Sequence, residues 1–415
     1  MLSQKRIAKS VAKTIYNFVP LRAKSLIAGI RGDYPRVLRN EIKVIKRVLG
    51  STSWNSSYSI KGKHIELEKE FAEYIGSKYA ISVSGGGVGI QMLIRALGIG
   101  PQGEVLIQAD TCAAVPQAIL NSQTVPIFVD ADVESFQFSQ QDLASRITDK
   151  TKMILATHMW GNPENLKEVQ RTVSNKDIFI VEDACLALGG KIEDKFMGSL
   201  ATAGIFSFGS TKPVQAGEGG MLVTNDEELA RELRAIREWG DRQIEFGIRD
   251  VKTLSWNGRM PEVIAALALE QLKSYPARLA KIQERIFKFR DVVSGISDFI
   301  IVPTREQGDL AYTQLSIKLS PECRYTKKEF LELCSDEQIQ AFHANFEPLT
   351  ELTLFQNGNW QKWIRDIDSS RTFSPEEFPG SYEIYKKTGI GLTRRNFESN
   401  RNYVKLLKFI NRNFA

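Results

Sequence analysis

The sequence predicts an α/β protein with a parallel or mixed central sheet, helices on both faces of that sheet, and a smaller α+β domain at its C-terminal end. Two observations indicate this class. Between about residues 78 and 224, apolar runs of strand length such as KMILATHMWG and DIFIVEDA alternate with helical segments. Most of these runs are apolar along their whole length, which is typical of strands covered on both faces. The 415 residues, 42% of them apolar, suffice for a large core and a smaller one.

We expect three regions along the chain. Residues 1–47 form a basic helical extension, residues 48–290 form the large domain, and residues 291–415 form the small one. A long helical stretch that carries Arg278 and Arg285 is predicted to bridge the two domains. Residues 357–380 are rich in Asn, Asp, Ser and Pro, and they are predicted to be an insertion or a long loop.

The composition argues against several classes of protein. No apolar run approaches the roughly 20 residues that span a bilayer. The four cysteines lack CxxC spacing and the three histidines form no HExxH motif, so no metal site and no disulfide framework are expected. Unpaired cysteines favour a reducing compartment, and the protein is expected to be cytoplasmic.

The N-terminal extension carries much of the net charge of +6. Its residues 5–19 place apolar side chains at helical spacing among lysines and arginines. The favoured interpretation is a helix that packs on the body of the protein or on a partner subunit. Contact with an anionic membrane surface is the less favoured alternative. No RNA- or DNA-binding motif accompanies the charge, so no nucleic-acid partner is expected.

From about residue 64 the elements follow one another regularly. A helix is predicted to run from Ile65 and to stop at Gly76, and the strand YAISVS follows it. That strand leads directly into Gly85, Gly86 and Gly87 and a second helix. Glycines at a helix N-terminus let the backbone approach an anion, and phosphate is the natural ligand. The alternative is a merely tight turn between strand and helix.

Polar residues stand at the carboxyl ends of the predicted strands, where ligands of such sheets bind. They are Ser84, Asp110, His158, Asp183 and Ser207. Asp183 ends an apolar strand, so its carboxylate needs a cation or a donor as partner. The protonated ring nitrogen of a pyridine cofactor would serve, and capping of a following helix is the alternative.

Residues 203–224 contain one lysine, Lys212, between two predicted strands and beside small residues. An ammonium group is costly to bury unpaired, and the small neighbours leave space next to it. A lysine so placed suits a covalent carbonyl partner. The alternative is a surface lysine on a hairpin.

Six ordered motifs together resemble the sugar aminotransferases of the DegT/DnrJ/EryC1/StrS family. They are SGGGVGIQMLIRALGIGPQGEV, PIFVDAD, THMWGNP, VEDAC, FSFGSTKPVQAGEGGMLVTND and NGRMPEVIAALALEQL. The resemblance covers roughly residues 40–290. It implies the aspartate aminotransferase fold, which is fold type I of the transferases that depend on pyridoxal 5′-phosphate, and it implies that cofactor.

The resemblance also implies roles for single residues. Lys212 resembles the lysine that bonds covalently to the cofactor, and Asp183 resembles the acidic partner of the pyridine nitrogen. Gly86 and Gly87 stand where relatives bind the cofactor phosphate, and Ser207 takes the place of a hydroxyl that reaches the same group.

Three further residues are placed by the same resemblance. Asn257 matches an asparagine that crosses from a second subunit to the phosphate, which implies a homodimer with shared active sites. Arg259 is a candidate contact for the carboxylate of the amino donor, with an interdomain salt bridge as the alternative. His343 lies in the small domain near the substrate mouth, and a buried structural role is the favoured interpretation for it.

The chain departs from the family pattern around the cofactor. Gly86 and Gly87 replace a threonine and a small residue, so a hydroxyl contact to phosphate is lost. Cys112 stands where an aromatic residue often stacks on the pyridine ring. Leu186 replaces a glutamine or histidine that reaches the phenolic oxygen of the ring. Together these changes are expected to weaken cofactor binding or to change the substrate.

The expected function is transfer of an amino group from glutamate or glutamine to a keto sugar, most often nucleotide-linked. Such a step belongs to the biosynthesis of amino sugars, cell-surface polysaccharides or secondary metabolites. A branch of the family that removes a hydroxyl group carries histidine at the lysine position, so Lys212 favours amino transfer. The alternatives are a keto cyclitol as the acceptor, or a non-catalytic, regulatory protein of the same fold.

Overall fold

The structure is a computed structural model that describes residues 39–51, 62–240, 251, 253–302, 310–311, 313–365 and 372–414. The chain divides into two units, Met1–Lys43 and Val44–Ala415. The helix predicted over residues 5–19 lies outside the described residues. Within the described ranges, no helix combines the length and the apolarity that crossing a bilayer requires.

The described part of the chain contains α-helices of 4 to 32 residues. In chain order they are α1 Arg39–Leu49, α2 Lys63–Ile75, α3 Gly86–Ala96, α4 Ala114–Asn121, α5 Gln140–Arg146, α6 Leu166–Thr172, α7 Glu227–Arg237, α8 Glu262–Val293, α9 Lys327–Asp336, α10 Pro379–Glu383, α11 Arg395–Glu398 and α12 Asn400–Phe414. A π-helix, Ile384–Thr388, follows α10.

The strands are short, and each strand of the large sheet is buried at all of its positions or at all but one. In chain order they are β1 Tyr79–Val83, β2 Glu104–Gln108, β3 Val125–Val129, β4 Thr151–Thr157, β5 Phe179–Asp183, β6 Lys191–Ile192, β7 Lys195–Phe196, β8 Ala203–Ser207, β9 Gly220–Thr224, β10 Phe299–Val302, β11 Gln314–Leu319, β12 Ala341–His343 and β13 Gly389–Thr393.

The central sheet has seven strands in the order β1-β9-β8-β5-β4-β2-β3. Strands β8, β5, β4, β2 and β3 run parallel, and β9 is antiparallel to both of its neighbours. The carboxyl ends of the parallel strands therefore meet at one edge of the sheet, where α/β sheets bind their ligands. The predicted α/β class with a mostly parallel sheet is confirmed.

A second sheet of four antiparallel strands, in the order β10-β11-β13-β12, forms in the C-terminal part. Helices α9 and α12 supply apolar side chains such as Phe330 and Phe409 to the core beside this sheet. The C-terminal part is therefore α+β, as predicted.

Helix α8 extends through both parts of the core. Ala265 and Leu269 near its start pack with side chains of the seven-stranded sheet. Phe289 near its end packs 5.6 Å from Phe397, between ring centroids, beside the second sheet. The predicted bridging helix is thus present, and the domain boundaries at residues 47 and 290 stay predictions.

The region predicted as a long loop, residues 357–380, contains 3-10 turns at Gln356–Gly358, Gln361–Trp363 and Pro375–Glu377 in its described part. It is not a peripheral insertion. Trp360 is fully buried, and Phe373 stacks at 4.2 Å on Phe128 of β3. This segment therefore covers the outer strand of the large sheet with aromatic side chains.

Candidate active site

The glycine turn lies between β1 and α3 at an accessible place. Residues 84–88 are half-buried, and the Ser84 N–H donates to the Gly258 carbonyl at 2.8 Å. Side-chain carbons added at Gly85 or Gly87 would meet no atom within 4 Å, so space is open beside the backbone. The first N–H groups of α3 have no partner within the helix, and with the helix dipole they favour an anion here.

Lys212 lies in the connection between β8 and β9, which pair in antiparallel fashion. Its side chain is half-buried, and its N–H donates to the Gly209 carbonyl at 3.0 Å. A Cβ atom at Gly209 would lie 3.6 Å from Ser207 Oγ and 3.8 Å from Lys212 Cγ. Ser207 and Lys212 therefore flank the same small residue, and the space beside the lysine is kept free by glycine.

Asp183 ends β5 and is only 6% exposed. Its Oδ1 accepts a hydrogen bond of 3.0 Å from the Cys185 N–H, and its carbonyl accepts one of 3.0 Å from the His158 N–H. Turns rather than a helix follow it as far as β6. The alternative that Asp183 caps a following helix is therefore wrong, and its carboxylate is free to face a ligand.

Cys185 is the residue that brings the predicted groups together. A Cβ atom at Gly86 would lie 3.1 Å from Cys185 Sγ and 3.5 Å from Ser207 Cβ. Burial raises the pKa of the Cys185 thiol well above its ordinary value, and the Asp183 carboxylate raises it further, whereas the Lys212 ammonium lowers it. The glycine turn, Ser207, Asp183 and Lys212 thus all lie around one thiol.

The two departures predicted for the ring environment are visible in the structure. Cys112 is half-buried. Leu186 is 5% exposed, and its carbonyl accepts a hydrogen bond of 2.5 Å from Thr313 Oγ1. The side chain of Leu186 offers no polar group, so a ligand there meets an apolar wall in place of a donor.

His158 belongs to a buried network on the other side of β5. Its Nδ1 accepts from the Glu164 N–H at 3.0 Å, so its Nε2 carries the proton that it donates to Glu182 Oε2 at 2.8 Å. Glu182 also accepts N–H bonds from Gly198, Leu200 and Ala201. Because successive side chains of a strand face opposite sides, Glu182 anchors the turn while Asp183 faces the candidate site.

Asn257 and Arg259 lie beside the glycine turn of the same chain. Asn257 is exposed, and its Oδ1 accepts from the Arg259 N–H at 3.2 Å. Arg259 Nη1 pairs with Glu238 Oε2 at 3.0 Å, and its guanidinium lies 4.2 Å from the centre of the Trp239 ring. The salt bridge therefore joins Arg259 to Glu238 in a neighbouring segment of the chain. The contact of Arg259 with the carboxylate of the amino donor stays a prediction.

A buried chain of charges continues from this salt bridge to β1. Glu238 also accepts from Arg237 Nε at 3.2 Å, and Arg237 Nη1 pairs with Glu68 Oε1 at 2.6 Å. Glu68 accepts from both the N–H and the hydroxyl of Ser82. Each charge has an opposite partner, which is the condition for ions that are removed from water. The network fixes the Asn257 segment against the strand that leads into the glycine turn.

His343 ends β12 and is half-buried, so the interpretation of it as a buried histidine is wrong. Its Nδ1 contacts the Tyr385 carbonyl at 2.9 Å, and the two rings stack with centroids 4.2 Å apart. Its predicted contact with substrate remains a prediction.

Two sets of contacts near the same sheet edge were not predicted from the sequence, which indicated Asp110 only as a polar residue at a strand end. Asp110 is fully buried and accepts from Gln108 Nε2 at 2.8 Å and Asn345 Nδ2 at 2.9 Å. Trp160 has a left-handed backbone, with φ of 57°, and stacks on Phe346 at 5.0 Å. Both join the end of a parallel strand to the segment after β12. Since the partners are more than 180 residues apart in sequence, no local pattern reveals the contacts.

The described residues contain no group of three or more His, Cys, Asp or Glu side chains that is arranged to hold a metal ion. All four cysteines have free thiols. The chemistry of the candidate site therefore rests on one amine, one carboxylate, a hydroxyl, a thiol and an anion-binding helix terminus.

The protein family and the relatives that the chain matches agree with this set of functional groups. The sequence profile described as the DegT/DnrJ/EryC1/StrS aminotransferase family matches residues 38–374. The chain is 30% identical to a GDP-perosamine synthase of Escherichia coli O157:H7, over 74% of this chain and 82% of that protein. It is also 30% identical to a GDP-4-keto-6-deoxy-D-mannose 3-dehydratase of Yersinia pseudotuberculosis, over 72% of this chain and 80% of that protein.

A solved structure extends the comparison to the fold. An aminotransferase from Psychrobacter cryohalolentis superposes with a TM-score of 0.80 and covers 92% of this chain and 98% of its own. Its sequence is 23% identical, so this likeness concerns the fold alone.

Proposed function

We propose that this chain, which belongs to the DegT/DnrJ/EryC1/StrS aminotransferase family, transfers an amino group from glutamate or glutamine to a keto sugar. The observation that carries this proposal is the grouping of Lys212, Asp183, Ser207 and the glycine turn around Cys185. An amine, a buried carboxylate and an anion-binding helix terminus are the three groups that a phosphorylated pyridine aldehyde needs.

The site fits pyridoxal 5′-phosphate, the cofactor of this family. Open space beside Gly85 and Gly87 and the accessible N-terminus of α3 suit the phosphate, with Ser207 as a further donor. Asp183 suits the protonated ring nitrogen, because a buried carboxylate needs a cationic partner. When bound, the cofactor supplies an electron-accepting ring that stabilises negative charge on the carbon beside the transferred nitrogen.

Side chains of the protein are proposed to carry out the proton transfer and to hold the cofactor. Lys212 would hold the cofactor through its amine, and the free amine would serve as the base that takes the proton from the donor Cα and as the acid that returns it. Asp183 keeps the ring nitrogen protonated. Leu186 and the buried apolar side chains around it exclude water from this proton transfer.

The acceptor is proposed to be a nucleotide-linked keto sugar. Support comes from two relatives at 30% identity whose names refer to GDP-linked 6-deoxy sugars, one a perosamine synthase and one a keto-deoxymannose dehydratase. Between these two reactions, Lys212 favours amino transfer, because a lysine both binds the cofactor and moves the proton. Arg259 is proposed to contact the donor carboxylate, and His343 is proposed to line the mouth for the sugar.

The protein is further proposed to act as a homodimer in the cytoplasm, with Asn257 reaching the phosphate of the partner's cofactor. Asn257 is exposed, so its side chain is accessible to a second copy of the chain. The four free thiols support a reducing compartment.

The test of this function is the absorption spectrum of the purified protein with pyridoxal 5′-phosphate. The cofactor bonded to Lys212 gives a visible band, which glutamate shifts. Lys212→Ala abolishes the band, whereas Lys195→Ala, at an exposed lysine on β7, retains it. A protein that stays colourless with the cofactor contradicts the proposal. A coloured protein that ignores glutamate and glutamine, alone and with keto sugars, supports a non-catalytic member, and a response to keto cyclitols alone supports the other acceptor.

A further inference from the structure

Gly86 and Cys185 compete for the same volume. A Cβ atom at Gly86 would lie 3.1 Å from Cys185 Sγ, which is closer than ordinary van der Waals contact. The neighbouring Gly85 and Gly87 show the opposite, since a Cβ atom at either meets no atom within 4 Å. The thiol therefore occupies space that a side chain at position 86 would otherwise take.

Cys185 also lies directly beside Asp183. Its N–H donates to Asp183 Oδ1 at 3.0 Å. Burial and the Asp183 charge keep the pKa of its thiol well above its ordinary value, so the sulfur retains a proton that it can donate to the carboxylate. The backbone donor and the protonated thiol beside it restrict the orientation of the carboxylate.

We propose that Cys185 is a cofactor-positioning residue, whose thiol replaces a side chain at position 86 and orients Asp183 toward the pyridine ring. This inference rests on the proposed function. It makes Gly86 and Cys185 a coupled pair: the glycine is required because the thiol is present, and the thiol supports the carboxylate that the cofactor contacts. A larger residue at position 86 is accepted only when the thiol is removed.

A double-mutant cycle on the dissociation constant of pyridoxal 5′-phosphate tests the coupling. Gly86→Ala forces a methyl group against the sulfur and is expected to weaken binding about tenfold or more. Cys185→Ala loses a hydrogen bond and is expected to weaken binding about threefold to tenfold. In the Cys185→Ala background, adding Gly86→Ala is expected to change the constant by less than about threefold, because the clash is gone.

Gly87 supplies the matched control, since an added methyl group there meets open space. In a second cycle, the effects of Gly87→Ala and Cys185→Ala are expected to multiply. Thermal unfolding of each apoprotein shows whether the variants fold. If Gly86→Ala does not fold, the inference is tested by the Cys185→Ala and Cys185→Ser variants and by the thiol measurement on the unaltered chain.

A second set of measurements separates positioning from simple packing. Cys185→Ser keeps a donor for Asp183, so the pH dependence of the cofactor's absorption band is expected to match the unaltered protein, whereas Cys185→Ala shifts it. Bound cofactor is also expected to protect Cys185 from a thiol reagent, as read by peptide mass spectrometry. Multiplying effects of Gly86→Ala and Cys185→Ala, or equal pH profiles for the Ala and Ser variants, would overturn the inference while cofactor binding itself stands. Absence of cofactor binding by the unaltered protein would overturn the proposed function and this inference with it.

Discussion

At the scale of single residues, local sequence motifs predicted the reactive side chains but not the residues that pack around them. Lys212 and Asp183 could be predicted because each interrupts an apolar run with a charge that burial alone does not explain. Cys185 could not, because its role depends on the distance of its sulfur from Gly86, and that distance depends on how β5 lies beside α3. The half-buried state of His343 could not be predicted either, since its exposure depends on the π-helix that follows α10.

Asp110 shows how burial governs a carboxyl group that has no cationic partner in the described part of the chain. Burial raises its pKa to about 7, against the hydrogen bonds from Asn345 and Gln108 that lower it. Gln108 Oε1 and Asn345 Oδ1 have no donor among the described residues. The site therefore holds one carboxyl that resists ionisation and two amide oxygens that need a donor.

A pH dependence of stability follows from Asp110. In the unfolded chain this carboxyl ionises near pH 4, whereas in the folded protein it stays protonated up to about pH 7. The folded state binds more protons in this window, so the free energy of unfolding falls as pH rises from about 4 to about 7, by an amount on the order of 4 kcal/mol from this group. Asp110→Asn is expected to remove this part of the slope and to be more stable at pH 8, because the new amide can donate to an oxygen without a partner.

Denaturant unfolding of both proteins at a series of pH values measures this effect. Glu164→Gln is the companion variant, since burial raises the pKa of Glu164 to about 8 and its contribution has the same sign. An unchanged slope in Asp110→Asn would show that Asp110 ionises normally in the folded protein.

At the scale of elements, the sequence predicted the type and the order of the strands and helices, but it did not predict how the segments between them pack. Each predicted strand of the large sheet forms, because burial on both faces leaves a continuous apolar run. The least accurate boundary is that of β4, which ends at Thr157, four residues before the end of the predicted run KMILATHMWG. The helix that stops at Gly76 ends with that residue in the left-handed conformation, at φ of 75°, as glycine permits. The segment after residue 349 could not be predicted, because turns without a period carry no signal for the surface on which they pack.

Trp360 tests the packing of that segment on the large sheet. Its side chain is fully buried and its ring lies 5.8 Å from Phe373, which stacks on Phe128 of β3. Trp360→Ala leaves a large cavity and is expected to lower the free energy of unfolding by about 3 to 5 kcal/mol. Trp363→Ala, at a side chain 61% exposed, is the control and is expected to change it by less than about 0.5 kcal/mol. Equal effects of the two variants, measured by denaturant unfolding, would show that the segment does not pack on β3.

At the scale of the whole molecule, the chemistry is predicted to belong to a pair of chains. The Asn257 segment is fixed to β1 through the chain of charges from Arg259 to Glu68, so it is a rigid part of the surface beside the glycine turn. A rigid, exposed amide at this place suits contact with a cofactor held by a second copy. A sequence pattern does not indicate whether an exposed side chain contacts the active site of its own subunit or that of the partner. The role of Asn257 was therefore predicted from the family resemblance alone.

Mixed dimers test the sharing of active sites. Lys212→Ala and Asn257→Ala each damage both sites of their own homodimer. If Asn257 serves the partner's site, a mixed dimer has one site with both changes and one with neither. Mixing the two variants under conditions of subunit exchange is then expected to restore up to about a quarter of the activity of the unaltered protein. Activity that remains at the sum of the separate variants would assign Asn257 to its own chain.

The central claim, amino transfer to a sugar through Lys212, is tested most directly with glutamate labelled with nitrogen-15 at its amino group. The labelled glutamate is incubated with the protein, pyridoxal 5′-phosphate and a nucleotide-linked 4-keto-6-deoxyhexose. The mass of the sugar product is then measured by mass spectrometry. The predicted result is one labelled nitrogen in each product sugar and an equal amount of 2-oxoglutarate, both absent with Lys212→Ala. A product that has lost a hydroxyl group and carries no label would contradict the claim.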